Sequence, residues 1–150
     1  MRIVIQRVSS ARVDIAGTTV GAIEKGLMIL VGVEKDDSEE DCRWLAAKAV
    51  ALRIFNDENG VMNRSVIEEG GGILAVSQFT LTASTRKGNR PSYIRAAGHE
   101  LATRLYELFI EETSRLTGKI TQRGMFGADM AVSLTNDGPV TIIIDSRLRE

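Results

Sequence analysis

Two stretches of this chain hold polar and backbone chemistry that an ordinary core would not need. In the first, Ser77-Gln78-Phe79-Thr80-Leu81, two hydroxyls and a carboxamide surround one aromatic ring directly after the apolar run Ile73-Leu74-Ala75-Val76. The carboxyl end of a buried strand is where an open sheet tends to display a site. On spacing alone the same residues also fit a continuing strand, with Gln78 and Thr80 on one face and Phe79 and Leu81 on the other. The second stretch, Thr135-Asn136-Asp137-Gly138-Pro139-Val140-Thr141, lies between two alternating apolar runs. Asn-Asp-Gly-Pro is dense turn chemistry, so a bend between two strands is the plain reading. Pro139, however, removes a donor where the second strand should begin to pair. Gly138 has no Cβ, so its backbone can approach another chain or a ligand closely. X-Pro is also the one kind of peptide bond that is cis with any frequency, about 5–6% in folded proteins.

Two further stretches are candidates for binding. Thr85-Arg86-Lys87-Gly88-Asn89-Arg90-Pro91 is a basic loop whose charges suit phosphates, and equally a solvated surface. Met125-Phe126, between Gly124 and Gly127, fits an apolar slot or a piece of core. Against these stand two bounds. His99 is the only histidine and Cys42 the only cysteine, so a Cys/His zinc site cannot be assembled within one chain. A Ser-His-Asp triad would need His99, which opens a helical pattern with no nucleophile motif near it. No metal and no cofactor is expected; chemistry here rests on hydroxyls, backbone amides, water and groups on the substrate.

The elements that must position these residues follow from periodicity. Residues 2–8, 11–15 and 19–23 alternate as strands, and 27–33 is a continuous apolar run that suits a central buried strand. Ser38 caps a helix to about Leu52, with Glu39, Glu40 and Asp41 in the first turn and Cys42, Leu45, Ala46, Ala49 and Leu52 inward. Residues 53–55 and 61–63 flank a hairpin loop, Gly70-Gly71-Gly72 leads into the 73–76 strand, and Ser92 and Tyr93 start a short helical turn. A second helix, from Gly98 to Leu116, turns Leu101, Leu105, Leu108, Phe109 and Leu116 inward and ends at Gly118. With short strands at 119–123, 130–134 and 140–144, the chain has about nine strands and two main helices: α+β, with sheets covered by the helices.

At 150 residues, with 43% hydrophobic and 26% charged residues, this is one domain, 1–150, with residues 145–150 as a flexible tail. A net charge of -1 excludes a global basic field, so any contact with nucleic acid is a local patch. The lone cysteine, the absence of a signal-like N-terminus and the lack of a long apolar run together predict a cytoplasmic protein with no membrane segment.

With Ser77-Gln78-Phe79-Thr80-Leu81 and Asn136-Asp137-Gly138-Pro139-Val140-Thr141 both in view, the chain resembles the D-aminoacyl-tRNA deacylase (D-tyrosyl-tRNA deacylase) family. The likeness runs from Ile5-Gln6-Arg7-Val8 through Asn89-Arg90-Pro91-Ser92 to the final strand. It implies antiparallel and mixed sheets in a barrel-like roll, and a homodimer with shared active sites. It implies that a cis Gly138-Pro139 enters the partner's site, held by Arg7, and excludes L side chains. Ser77, Gln78, Phe79 and Thr80 would line the catalytic pocket, and Met125 and Phe126 would lie near the terminal adenosine. Arg86 and Lys87 would meet phosphates. The implied reaction is hydrolysis of the ester joining a D-amino acid, or glycine on tRNA-Ala, to the tRNA 3′ end. Thr80 would position or attack. A non-catalytic tRNA-end-binding module and a small-molecule esterase are the rival readings.

Overall fold

The computed structural model describes residues 1–149. Eight strands are found among them: β1 (Arg2–Ile15), β2 (Thr18–Ile23), β3 (Gly26–Gly32), β4 (Phe55–Asn56), β5 (Met62–Arg64), β6 (Gly72–Ser77), β7 (Gln122–Arg123) and β8 (Ala131–Asp145). The two main helices are α1 (Glu39–Ala51) and α2 (His99–Thr117). The main sheet runs β2-β1-β3-β6-β7, with β8 on the other edge of β1. Pairs among β1, β2, β3 and β8 are antiparallel, whereas β3–β6 and β6–β7 are parallel. β2 comes back against β7, where the backbone of Gly21 sits so close to Arg123 that a Cβ would stand 2.6 Å from its carbonyl oxygen. The expected α+β class holds: a mixed sheet, nearly closed as a barrel, with two helices on one face.

The apolar run of β3 is explained by burial on both faces. Leu27, Ile29 and Val31 face Leu45, Ala46, Leu105 and Phe109 of the helices. Met28 packs into the barrel with Val8, Val13, Leu74 and Val76. The capping of α1 is as expected, with a detail added. The Ser38 hydroxyl accepts from the Asp41 amide at 3.3 Å, and the Asp41 carboxylate accepts from the Ser38 amide at 2.9 Å. Burial, the largest single influence, raises the Asp41 pKa, but the two bonds from Ser38, together with Ser146 and the Met1 ammonium, hold the carboxyl below its ordinary value. On α1 the buried residue near the end is Val50; Leu52 is only partly covered. On α2, Tyr106 and Ile110 join the buried stripe, and Gly118 closes the helix at φ 69°. Among the described residues no helix is long and apolar enough to cross a membrane.

Several expectations are corrected. Residues 2–8 and 11–15 form one strand, because β8 pairs along both halves and absorbs Ser9 as a register shift. The second correction is larger: Thr135–Thr141 is no hairpin. Runs 130–134 and 140–144 both belong to β8 and pair with β1 in one direction, Asn136 opposite Val8 and Thr141 opposite Gln6. Residues 137–140 thus face only Arg7 and must bulge outward. Ser92 is not helical but exchanges backbone hydrogen bonds with Ser84, and the turn closes further on, from the Ala96 amide to the Tyr93 carbonyl. Nor are residues 145–149 loose. Ser146 is buried, its hydroxyl accepts from the Met1 ammonium at 2.9 Å, and Arg147 pairs with Asp37 at 3.0 Å. Glu150, the rest of the expected tail, lies outside the described residues.

Cys42 is buried under α2 and donates to the Leu105 carbonyl at 3.3 Å. Burial is the main cause that pushes its thiol up to about 12. The thiolate is the reactive form, so native protein at neutral pH should react with a thiol reagent only at its unfolding rate. Rapid stoichiometric labelling without denaturant would contradict the placement.

Candidate functional site: a cleft at the end of β6

β6 ends at Ser77, and the chain turns at once into a single 3-10 turn, Phe79–Thr82. The continuing-strand alternative is thereby excluded. The Gln78 amide still donates to Val31 on β3 at 2.8 Å, which fixes where the turn begins. Thr82 anchors it from within, its hydroxyl donating to the Phe79 carbonyl at 2.8 Å. The first N–H groups of such a turn have no partner inside it. Among the described residues, none accepts a hydrogen bond from the Phe79 or Thr80 amide in the backbone and side-chain network.

Ser77, Gln78 and Phe79 open onto a cleft of about 400 Å³. It is lined by Val31 of β3 and Val33 just beyond it, Val76 of β6, Ala102 and Tyr106 of α2, and Phe126, Met130 and Val132. The cleft is mostly apolar with a few convergent polar groups, which is the make-up of a ligand site. Thr80 does not itself line the cleft; the Gln78 carboxamide donates to its hydroxyl, and no general base among the described residues touches it.

Tyr106 is a fixed wall residue rather than an acid or base. Its hydroxyl donates to the Ala75 carbonyl at 2.9 Å, and burial, first among the causes, pushes the phenol up to about 12. Arg123 lies 5.4 Å from the Tyr106 ring centre and makes a two-pronged pair with Glu107. The hydrogen bond from Arg123, the largest cause, holds the Glu107 carboxyl below its ordinary value despite partial burial. A depressed carboxyl pKa contributes stability that is present above the unfolded value and lost as pH falls through the folded one. Acid titration below about pH 4.5 should therefore destabilise the wild type more than Glu107→Gln, read as Tm against pH. Parallel curves for the two proteins would remove the pair from the account.

The remaining sequence candidates divide. Phe126 lines the cleft, in edge contact with His99 at 5.2 Å and tilted against Tyr106 at 6.0 Å. Met125 does not line it: it begins a turn closed by Ala128 at 3.1 Å and is exposed. Arg86 and Lys87 are exposed on their loop, away from the cleft wall, and make no ion pair among the described residues. His99, Tyr106 and Val132 also line the cleft. Tyr106 and Val132 fall on ordinary apolar stripes, which carry no sign of a cavity, and a lone histidine at the start of a helical pattern carries none either.

Arg7, Gly138 and Pro139 form a second centre. Arg7 is only 7% exposed, and its guanidinium donates to the Ile54 carbonyl at 2.7 Å and the Asp137 carbonyl at 3.0 Å. It thereby ties the β8 bulge to the segment before β4. Asn136 braces the bulge from the other side, accepting from the Val140 amide at 3.1 Å. The Gly138–Pro139 peptide is cis, and both residues are exposed. The sheet register separates this centre from the cleft. Ser77 lies opposite Val31, and Val31 opposite Ile3. Arg7 is four residues further along, about 13 Å on strand rise alone. The chain's own Gly138–Pro139 does not line its own cleft.

Comparison with known proteins falls on the same ground. A protein called D-aminoacyl-tRNA deacylase from Bacteroides fragilis (strain YCH46) is 60% identical over 150 residues, covering all of both chains. One of the same description from Akkermansia muciniphila is 62% identical over the same span. Among solved structures, one described as c-Myc DNA Unwinding Element Binding Protein superposes with a TM-score of 0.91 at 36% identity, covering 97% of this chain and 98% of the other. A second, described as a probable eukaryotic D-amino acid tRNA deacylase, has a TM-score of 0.82 at 17% identity over 95% and 97% of the two chains, a likeness of fold. A family model described as D-Tyr-tRNA(Tyr) deacylase matches residues 4–145, which takes in both centres, and the chain belongs to that family.

Proposed function

We propose that this chain, one domain acting in the cytoplasm as a two-fold homodimer, hydrolyses the ester of D-aminoacyl-tRNA, and of glycine mischarged on tRNA-Ala. Family membership makes it a hydrolase that deacylates D-aminoacyl-tRNA. The observation that carries the finer reading is that the Phe79 and Thr80 amides find no acceptor among the described residues where the turn leaves an apolar cleft lined by Ser77, Gln78 and Phe79, and that among those residues no general base touches the Thr80 hydroxyl. An aminoacyl ester is already activated, so positioned donors and a water suffice. Water attacks the carbonyl carbon and the two amides receive the developing oxyanion. The bond to the 3′ oxygen then breaks as the neighbouring 2′-hydroxyl gives that oxygen its proton and takes one from the attacking water, so that the free amino acid and a 3′-hydroxyl are released. Thr80, held by Gln78, positions rather than attacks.

Selectivity is assigned to Gly138 and Pro139 of a second copy. Two observations support this: the loop is exposed and braced by Arg7, and it stands well away from its own cleft. Seated in a partner's cleft, its carbonyls would leave room for hydrogen but not for an L side chain. The test is hydrolysis of matched D- and L-aminoacyl-tRNA, with a 2′-deoxy terminal adenosine as third substrate, alongside sedimentation. D-only release by a dimer, slowed on the deoxy substrate, is expected. Full-rate cleavage of the deoxy substrate overturns the mechanism, and an active monomer overturns the shared site.

A further inference from the structure

Tyr93 is fixed between the basic loop and the cleft. Behind it, Ser84 and Ser92 exchange backbone hydrogen bonds of 2.8 and 2.9 Å, so the 85–91 loop is rooted beside its ring. Ahead of it, the Ala97 amide donates to Val33 at 3.0 Å, and both residues line the cleft. Its own carbonyl accepts from Ala96 at 2.9 Å, which holds the intervening turn. The ring meets Phe79, the aromatic at the cleft mouth, edge-on at 5.0 Å and 68°. Phe79 nevertheless remains 57% exposed, Tyr93 38% and the neighbouring Ile94 79%. An aromatic pair at the root of a loop whose cations pair with no carboxylate among the described residues offers what a single-stranded nucleic acid needs: a face for a base and charges for its phosphate.

We propose that Tyr93, with Phe79 and the 85–91 loop, forms a subsite for the single-stranded nucleotide that precedes the terminal adenosine of the substrate. Tyr93 stacks that base, and Arg86, Lys87 and Arg90 meet its phosphate. This rests on the proposed function, since the cleft must hold the aminoacyl end for the strand to leave past Phe79. Stacking tolerates every base, so the subsite adds affinity for the strand without choosing among tRNA bodies.

The experiment compares two substrates, a D-tyrosyl minihelix ending in the single-stranded 3′ sequence and D-tyrosyl-adenosine without upstream nucleotides. The readout is the ratio of kcat/KM between them. Tyr93→Ala should lower that ratio about tenfold, through KM on the minihelix. Tyr93→Phe should hold the ratio within about twofold, because the π face is kept. Tyr93→Leu keeps apolar bulk without that face and should behave as Tyr93→Ala, which guards against a folding defect. Arg86→Ala with Lys87→Ala should flatten the salt dependence on the minihelix. An unchanged ratio in Tyr93→Ala and Tyr93→Leu overturns the subsite while leaving the deacylase reading intact. So does a changed sedimentation mass, which would make this face a contact between copies. Failure of the wild type on both substrates overturns the deacylase reading and the subsite with it.

Discussion

Gly138→Ala is expected to lower D-aminoacyl-tRNA hydrolysis by about 100-fold, the scale of a roughly 1 Å misplacement at a reacting centre, while the protein still folds. On an open turn an added methyl would find space. Here it would stand 2.8 Å from the Arg7 guanidinium and 2.9 Å from the Val140 side chain. The backbone also holds φ at 132°, where side chains other than glycine are strained by about 1–3 kcal/mol. Arg7 has little room to yield, being buried and bonded to Ile54 and Asp137. The bulge must therefore move, and with it the carbonyls assigned to chiral exclusion. The strands on either side keep their pairing to β1, so loss of Tm should be modest. Released amino acid and thermal unfolding, measured on the same preparation, check both halves. Wild-type hydrolysis and wild-type discrimination in this variant would show that the bulge has no part in the site.

Gly26→Ala should give the largest loss of stability, about 3 kcal/mol or more. Gly26 pairs with Gly72 where β3 and β6 begin to run parallel. A Cβ on Gly26 would lie 1.9 Å from the Gly72 carbonyl oxygen and 2.7 Å from its nitrogen. Backbone on both sides cannot rotate away as a side chain does, so the parallel pair must open. β6 carries Ser77 at its far end, which makes the damage reach the cleft as well. Gly98→Ala is the control, because nothing lies within 4 Å of its Cβ, and replacing a glycine at a helix N-cap costs less than about 1 kcal/mol. Denaturant midpoints at constant slope decide the matter. Equal midpoints for Gly26→Ala and wild type would contradict the close approach.

What could be read from the residues was whatever a local pattern specifies. The continuous apolar run of β3, the Ser38 cap, the amphipathic stripe of α2 and its glycine stop are each decided within a few residues by burial, free N–H groups and φ. Ser77-Gln78-Phe79-Thr80 stood out for the same reason, because polar side chains broke an apolar run at a strand end. Periodicity was silent wherever two distant segments decide a conformation together. Asn136-Asp137-Gly138-Pro139 has the composition of a turn between strands, with Pro139 as its one discordant residue, yet it lies inside one strand, because both flanks find partners on β1 and only the excess over Arg7 bulges. Gly70-Gly71-Gly72 looks like slack, yet Gly72 is the close contact of Gly26. Residues 145–149 look like an end, but burial of Ser146 and the pairing of Arg147 with Asp37 hold them. The cleft has the same origin. Val31, Phe79, Tyr106, Phe126 and Val132 come from separate elements and share no spacing, and only the closing of the sheet under α2 sets their side chains around one space.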